Sequence, residues 1–316
     1  MERPMASLRE LGERALIENL HGIVRPMPGA GVWDDAAVLD LQGTAVVCTD
    51  TVSVERHKPA GMTWEQFGWT AAAVSLSDIA SMGARPVGVL VALQLDGDMD
   101  ERDAYDLMSG MDQCAEFCGT YLVGGDTKPG HGSVTATVIG STDGRPPLRR
   151  SGASPGDLVG VTGRLGSAAA GYHALMNGID EEDATMSLLV PVPRVEEGSI
   201  LLRSGAVTSC MDLSDGLAEA AHAICAASGV GMDIRKEFLP VEPHVDAIAD
   251  RLGLDRDGLV MYWGGDYELL FTFDKRGLAR LHGEGLDFSI VGTVIEGDAP
   301  CISDGDGRKV MDRGEY

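Results

Sequence analysis

In 316 residues no apolar run approaches the ~20 that a membrane-spanning helix needs, which excludes such a helix. The six cysteines include no CxxC pair, which argues against a zinc site and against a disulfide framework. They sit mostly in apolar surroundings and read as reduced thiols of a cytoplasmic protein. Basic residues are scarce, with 25 Lys and Arg against 49 Asp and Glu. The resulting formal charge of −24 disfavours nucleic acid and anionic membranes as partners. No GxxxxGK[ST] and no GxGxxG occurs, so the chain is neither a Walker-type nor a Rossmann dinucleotide protein. The opening stretch MERPMASLRELGERALIENL carries acids and an amphipathic pattern and does not read as a signal peptide.

What is present is an ordinary globular composition, 44% hydrophobic and 23% charged, with 42 glycines. Its length suits about two domains, because single cores stop growing near ~250–300 residues. An opening helix is expected over about 7–20. Strands are expected at 36–40, 44–50 and 87–95, long helices at about 63–82 and 101–118, then strands at YLVGGD and VTATVIGST. The loop DGRPPLRRSGASPGD (143–157) gathers proline, glycine and charge and marks a domain boundary, giving domains 1–148 and 149–316. Beyond it come a strand at DLVGVTG, a helix over about 167–177, and a loop plus the start of a helix over 180–198. A further helix (215–228) and a closing strand (290–297) follow. The whole is an α/β (α+β) chain. A faint repeat runs through it: Leu76-Ser77-Asp78 precedes Gly124-Gly125-Asp126 by 48 residues, and Leu213-Ser214-Asp215 precedes Gly264-Gly265-Asp266 by 51. A duplication would make the halves related α/β units.

The chemistry concentrates in six acidic turns: Asp34-Asp35, Thr49-Asp50-Thr51, Ser77-Asp78, Gly125-Asp126-Thr127, Asp212-Leu213-Ser214-Asp215 and Gly265-Asp266. Any one of them taken alone reads first as a helix cap or Asx-turn, and Asp78 and Asp215 stand just before helical sequence. As a set they suit Mg²⁺, which takes oxygen ligands from one or two carboxylates together with substrate phosphates. Glycines beside the acids let backbone approach phosphate oxygens. Two unit charges 4 Å apart at an effective dielectric of ~20 interact by roughly 4 kcal/mol, so bringing two phosphates together calls for cations. The nearby basic residues are few: His57, Lys128, Arg149 and Arg150.

The strings WDDAAVL, CTDTVSVERH, VSLSDIASMGARP, LVGGDT, RRSGASPGD, MDLSDGL and GGDYELLF, in this order, resemble thiamine-monophosphate kinases of the aminoimidazole-ribonucleotide synthetase-like ATP-binding superfamily. The resemblance runs from about residue 10 to 297. It implies a two-domain aminoimidazole-ribonucleotide synthetase-like fold and a homodimer whose N-terminal domains pair strands. It implies ATP and several Mg²⁺ ions in a cleft, and phosphorylation of thiamine monophosphate to thiamine diphosphate. Asp35, Thr49, Asp50, Asp78, Asp126, Asp212 and Asp215 resemble the family's metal ligands. Gly125, Asp126, Arg150 and Ser214 resemble its ATP contacts, and His57, Gly265 and Tyr316 stand at or near its acceptor contacts. The chain departs from the pattern at four places. Trp33 replaces a glycine, Cys48 a serine and Gly265 the glutamate of GGEDYE, and the aromatic tail is shortened to Tyr316. Gly265 leaves open another ATP-using member of the superfamily with a different acceptor. A non-enzymatic, metal-loaded binding protein is a third reading, and it predicts divalent-ion binding without ATP.

Overall fold

The computed structural model describes residues 7–27, 37–41 and 43–313. Asp35 and Tyr316 lie outside them. The chain divides into two compact units, residues 1–79 with 85–144, and residues 80–84 with 145–316.

In the first unit, the expected opening helix is two short ones, α1 (Leu8–Leu11) and α2 (Glu13–His21). Ser7 and Glu10 cap α1 reciprocally, and Gly12, at φ +81°, breaks the helix in a conformation that side-chain-bearing residues avoid. Then follow β1 (Ala45–Ser53), α3 (Val54–His57), α4 (Trp64–Ser81), β2 (Arg85–Leu95), α5 (Glu101–Phe117), β3 (Leu122–Pro129) and β4 (Ser133–Ser141). No strand forms over 37–40. The sheet order is β1-β4-β2-β3, with β1, β4 and β2 antiparallel and β2–β3 parallel through the α5 crossover. Period-two alternation buries Val52, Val89, Val91, Leu93, Val134, Ala136 and Val138. Their neighbours Val47, Thr49, Thr51 and Ala92 turn to the other, more open face. Helices α4 and α5 cross at two glycines: a Cβ on Gly68 would stand 1.9 Å from Leu107 O, and one on Gly110 would stand 1.8 Å from Glu65 O.

The second unit holds β5 (Leu158–Thr162), α6 (Ser167–Met176), α7 (Glu182–Leu189), α8 (Val195–Ser204), β6 (Val207–Asp212), α9 (Leu217–Ser228) and β7 (Gly231–Arg235). After them come α10 (Pro243–Leu252), α11 (Arg256–Met261), β8 (Leu269–Phe273), α12 (Leu278–Gly283), β9 (Phe288–Ile295), β10 (Pro300–Asp304) and β11 (Gly307–Val310). Seven strands run in the order β11-β10-β7-β9-β5-β8-β6, antiparallel except for β10–β7. Leu165, Leu213, Leu217, Ile224, Met232, Leu270 and Val291 lie in the core. Helix α7 occupies part of the segment expected to be loop.

The four motifs of the faint repeat take three kinds of local structure. Leu76–Asp78 lies inside α4 and Gly124–Asp126 inside β3, whereas Leu213–Asp215 and Gly264–Asp266 are loops. Asp78 is therefore in the last turn of a helix rather than at its start. The residue capping α9 is Gly216, not Asp215.

Candidate functional site

Strand alternation sends Cys48 and Asp50 of β1 to one face, where the last two turns of α4 bring Ser75 and Asp78. Sγ of Cys48 and carboxylate oxygens of Asp50 and Asp78 all lie within 4.8 Å of one another, each residue partly buried. Ser75 ties helix to sheet: its hydroxyl donates toward Asp50 Oδ2 (3.2 Å) and Ala136 O (3.0 Å). Two carboxylates that close, at the edge of a sheet, suit a hard divalent cation. The third group does not fit one. A thiol is a soft ligand, and the Cys48 S–H donates to Ser75 O at 3.0 Å. Among the described residues of this unit, Asp50 and Asp78 are thus the pair whose chemistry could hold such a cation.

Two expected ligands are placed elsewhere. Thr49 is one residue from Asp50, so its side chain takes the opposite face. There its hydroxyl pairs with Thr137 Oγ1 at 2.8 Å, next to the Thr51–Thr135 pair at 2.7 Å. Asp126 lies on β3, at the far edge of the sheet from β1. The register runs Asp50–Ala136, Ala136–Val91, Val91–Gly125, which is three strand spacings, or about 14 Å. Asp126 pairs with Ala92 on the open face and is ion-paired to Lys128 at 3.3 Å. It lines a groove of about 610 Å³ together with Gly124, Gly125, Leu90, Leu122, Thr137 and Ile139. That size suits a small organic ligand with apolar walls and a few polar contacts. Gly125 itself owes its missing side chain to packing, because a Cβ there would stand 1.8 Å from Val91 O.

In the second unit, β6 ends on Asp212, which is 2% exposed, and the loop to α9 carries Ser214 and the exposed Asp215. Three backbone hydrogen bonds strap this loop to the Gly264–Glu268 segment: Leu213 N to Glu268 O, Gly265 N to Ser214 O and Tyr267 N to Leu213 O. The strap imposes left-handed backbone on Gly265 (φ +94°) and Tyr267 (φ +52°). A strained non-glycine residue is tolerated only where surrounding contacts hold it. Asp266 caps α6, accepting from Gly166 N (2.7 Å) and Ala168 N (2.9 Å). Burial pushes its carboxyl up to about 6, the Ala168 and Gly166 N–H groups opposing. Glu268 is gripped by Arg194 Nε at 2.8 Å and the Thr162 hydroxyl at 2.6 Å. Arg150 is exposed within the 143–157 loop. In the first unit, His57 is exposed and accepts at Nδ1 from Ser53 N at 3.0 Å. Arg194 carries no signal in the sequence, and Ser75 and Glu268 stand in two of the acidic motifs without a partner assigned, since no local spacing marks partners 25 to 74 residues apart.

Against known families, residues 33–142 match the model for AIR synthase related protein, N-terminal domain, and residues 154–302 the model for its C-terminal domain. A thiamine-monophosphate kinase of Methanospirillum hungatei is 36% identical over 291 residues, covering 91% of this chain and 93% of that one. The crystal structure of thiamine-monophosphate kinase from Stenotrophomonas maltophilia superposes with a TM-score of 0.80 at 29% identity, covering 91% of this chain and 95% of that one. AaThiL complexed with AMPPCP and TMP gives 0.78 at 28%, covering 98% of both chains.

Proposed function

This chain belongs to the thiamine-monophosphate kinase family within the AIR synthase related proteins, and from that premise we propose how its own residues carry the reaction. The enzyme transfers the γ-phosphoryl group of ATP to thiamine monophosphate, giving ADP and thiamine diphosphate. A relative in complex with AMPPCP and TMP supports both ligands. Phosphoryl transfer asks a protein chiefly for alignment and for neutralising phosphate oxygens.

The observation that carries the site assignment is the approach of Asp50 and Asp78 within 4.8 Å, with Ser75 fixing Asp50. These two carboxylates hold Mg²⁺, which when bound neutralises phosphate oxygens in a chain that has few cations of its own. The groove beside Gly125 and Asp126 takes the nucleotide, its apolar wall accepting the base. Asp126 stands about 14 Å across the strands from Asp50 and on the open face, so it meets a nucleotide in its own groove while Asp50 and Asp78 are drawn from a second copy of a homodimer. In the second unit Ser214 offers its hydroxyl to nucleotide phosphates, Arg150 its guanidinium, and Asp212 and Asp215 serve as further metal ligands. His57 and Tyr316 contact the acceptor. The enzyme works in the cytoplasm without nucleic-acid or membrane partners, as its charge of −24 favours.

A coupled assay for ADP with Mg-ATP and thiamine monophosphate tests the reading. Turnover well above the ATPase background is expected. With Asp78→Asn, kcat falls at least about a hundredfold while the unfolding temperature holds. No acceptor-dependent turnover in the unmodified enzyme would sink the proposal.

A further inference from the structure

Outside the acid centres, three rings meet in the second unit. Tyr172 and His173 are adjacent on α6, and Trp263 follows α11. Ring centroids are 5.1 Å apart for Tyr172–Trp263, 5.2 Å for His173–Trp263 and 5.5 Å for Tyr172–His173. All three are half-buried, and Trp263 packs against the core from one side. Rings so placed are ordinarily satellites of a core, but the backbone around Trp263 ties it to the Ser214–Asp215 loop. A Cβ on Gly216 would stand 2.8 Å from Trp263 O. One on Gly264 would stand 2.1 Å from Ser214 O and 3.1 Å from the Asp215 Cα. Trp263 is thus held through its backbone against the loop that handles phosphate in the reading above. The C-terminal segment comes to the same end of α9, where Arg313 ion-pairs with Glu219 in the first helical turn at 3.1 Å.

The acceptor has matching chemistry. Thiamine monophosphate carries its phosphate on a short arm from a permanently cationic thiazolium, itself joined to an aminopyrimidine. A cation of this kind is recognised either by a carboxylate or by an aromatic face. The carboxylate route is closed at Gly265, whose φ of +94° disfavours any side chain and whose Cβ would lie 3.3 Å from that of Ala168. An indole is the strongest of the aromatic faces for a cation. Burial lowers the His173 imidazole below its usual value, so at neutral pH it carries no charge to repel one.

We propose that Trp263, braced by Tyr172 and His173, is the specificity-determining face for the acceptor. Its indole takes the cationic ring of thiamine monophosphate in place of a carboxylate contact. The inference rests on the kinase reading, yet it fails separately from it. Steady-state kinetics and tryptophan emission are measured for the unmodified enzyme, Trp263→Ala and Trp263→Phe. Trp263→Ala raises the KM for thiamine monophosphate about tenfold with the KM for ATP unchanged, and Trp263→Phe recovers most of the loss. Thiamine monophosphate quenches the emission of the unmodified enzyme, and Trp263→Phe abolishes that quench while still binding the ligand. An active Trp263→Ala enzyme with an unchanged KM for thiamine monophosphate overturns the platform and leaves the kinase reading standing. Should Trp263→Ala fail to fold, or the unmodified enzyme fail to turn over, the quench and its loss in Trp263→Phe decide the matter. A quench that persists in Trp263→Phe overturns the proposal.

Discussion

Asp266 shows how one carboxylate can look functional in sequence and be structural in the fold. It stands in a glycine-rich turn like the other acids, but it spends both oxygens on the first N–H groups of α6. Its burial has a measurable consequence. The folded-state value of about 6 exceeds the unfolded value of 3.8, so the folded chain binds this proton more tightly. By linkage, the stability it contributes is complete below pH ~4 and lost as pH rises through about 6. Asp266→Asn keeps one acceptor for the helix and should flatten that part of the stability–pH curve. Chemical denaturation between pH 4 and 7 reads this, and an unchanged slope would remove Asp266 as its source. Thr49 teaches the same lesson on a strand. Its spacing to Asp50 is legible in the sequence, but adjacency on a strand is what separates their side chains.

At the scale of elements, apolar periodicity served well. Helices expected over about 63–82 and 101–118 are α4 (Trp64–Ser81) and α5 (Glu101–Phe117), and four strands of the first unit fall where β-branched runs predict them. The misses have local causes. Gly12 interrupts an otherwise continuous amphipathic pattern by its φ of +81°. Helix α7 was hidden by the prolines that follow it, Pro191 and Pro193, although Glu182 and Asp183 in its first turn were a readable start signal. The glycine of Gly125-Asp126 has a packing role that its motif did not announce: it admits the neighbouring strand. Gly125→Ala forces β3 away from Val91 O, which lies 1.8 Å from the added Cβ, and should destabilise the fold by about 1–3 kcal/mol. Equilibrium urea unfolding measures this, and a variant as stable as the parent would show that β3 yields freely.

For the whole molecule, the decisive feature is the strand order β1-β4-β2-β3, which parts Asp50 from Asp126. If each site draws Asp50 from one copy and Asp126 from another, Asp50→Asn and Asp126→Asn chains are each inactive alone. Mixed and allowed to exchange, they should regain about a quarter of parental activity, since half the dimers are hybrid and each hybrid has one intact site of two. Activity of subunit-exchanged mixtures tests this, and no recovery despite hybrid formation would confine the site to single chains.

The sequence by itself determined the two α/β halves, most helices and strands, the acidic motifs and the family they resemble. These are written in neighbouring residues: in periods of 3.6 and 2, in turn glycines, and in short strings that must keep their order. Only the tertiary structure decided that Asp50 meets Asp78 while Thr49 turns away, that Asp126 stands at the other edge, and that Trp263 is pinned to the Ser214–Asp215 loop. Strand order, facing and backbone straps arise from contacts between residues tens of positions apart, and no local pattern along the chain specifies them.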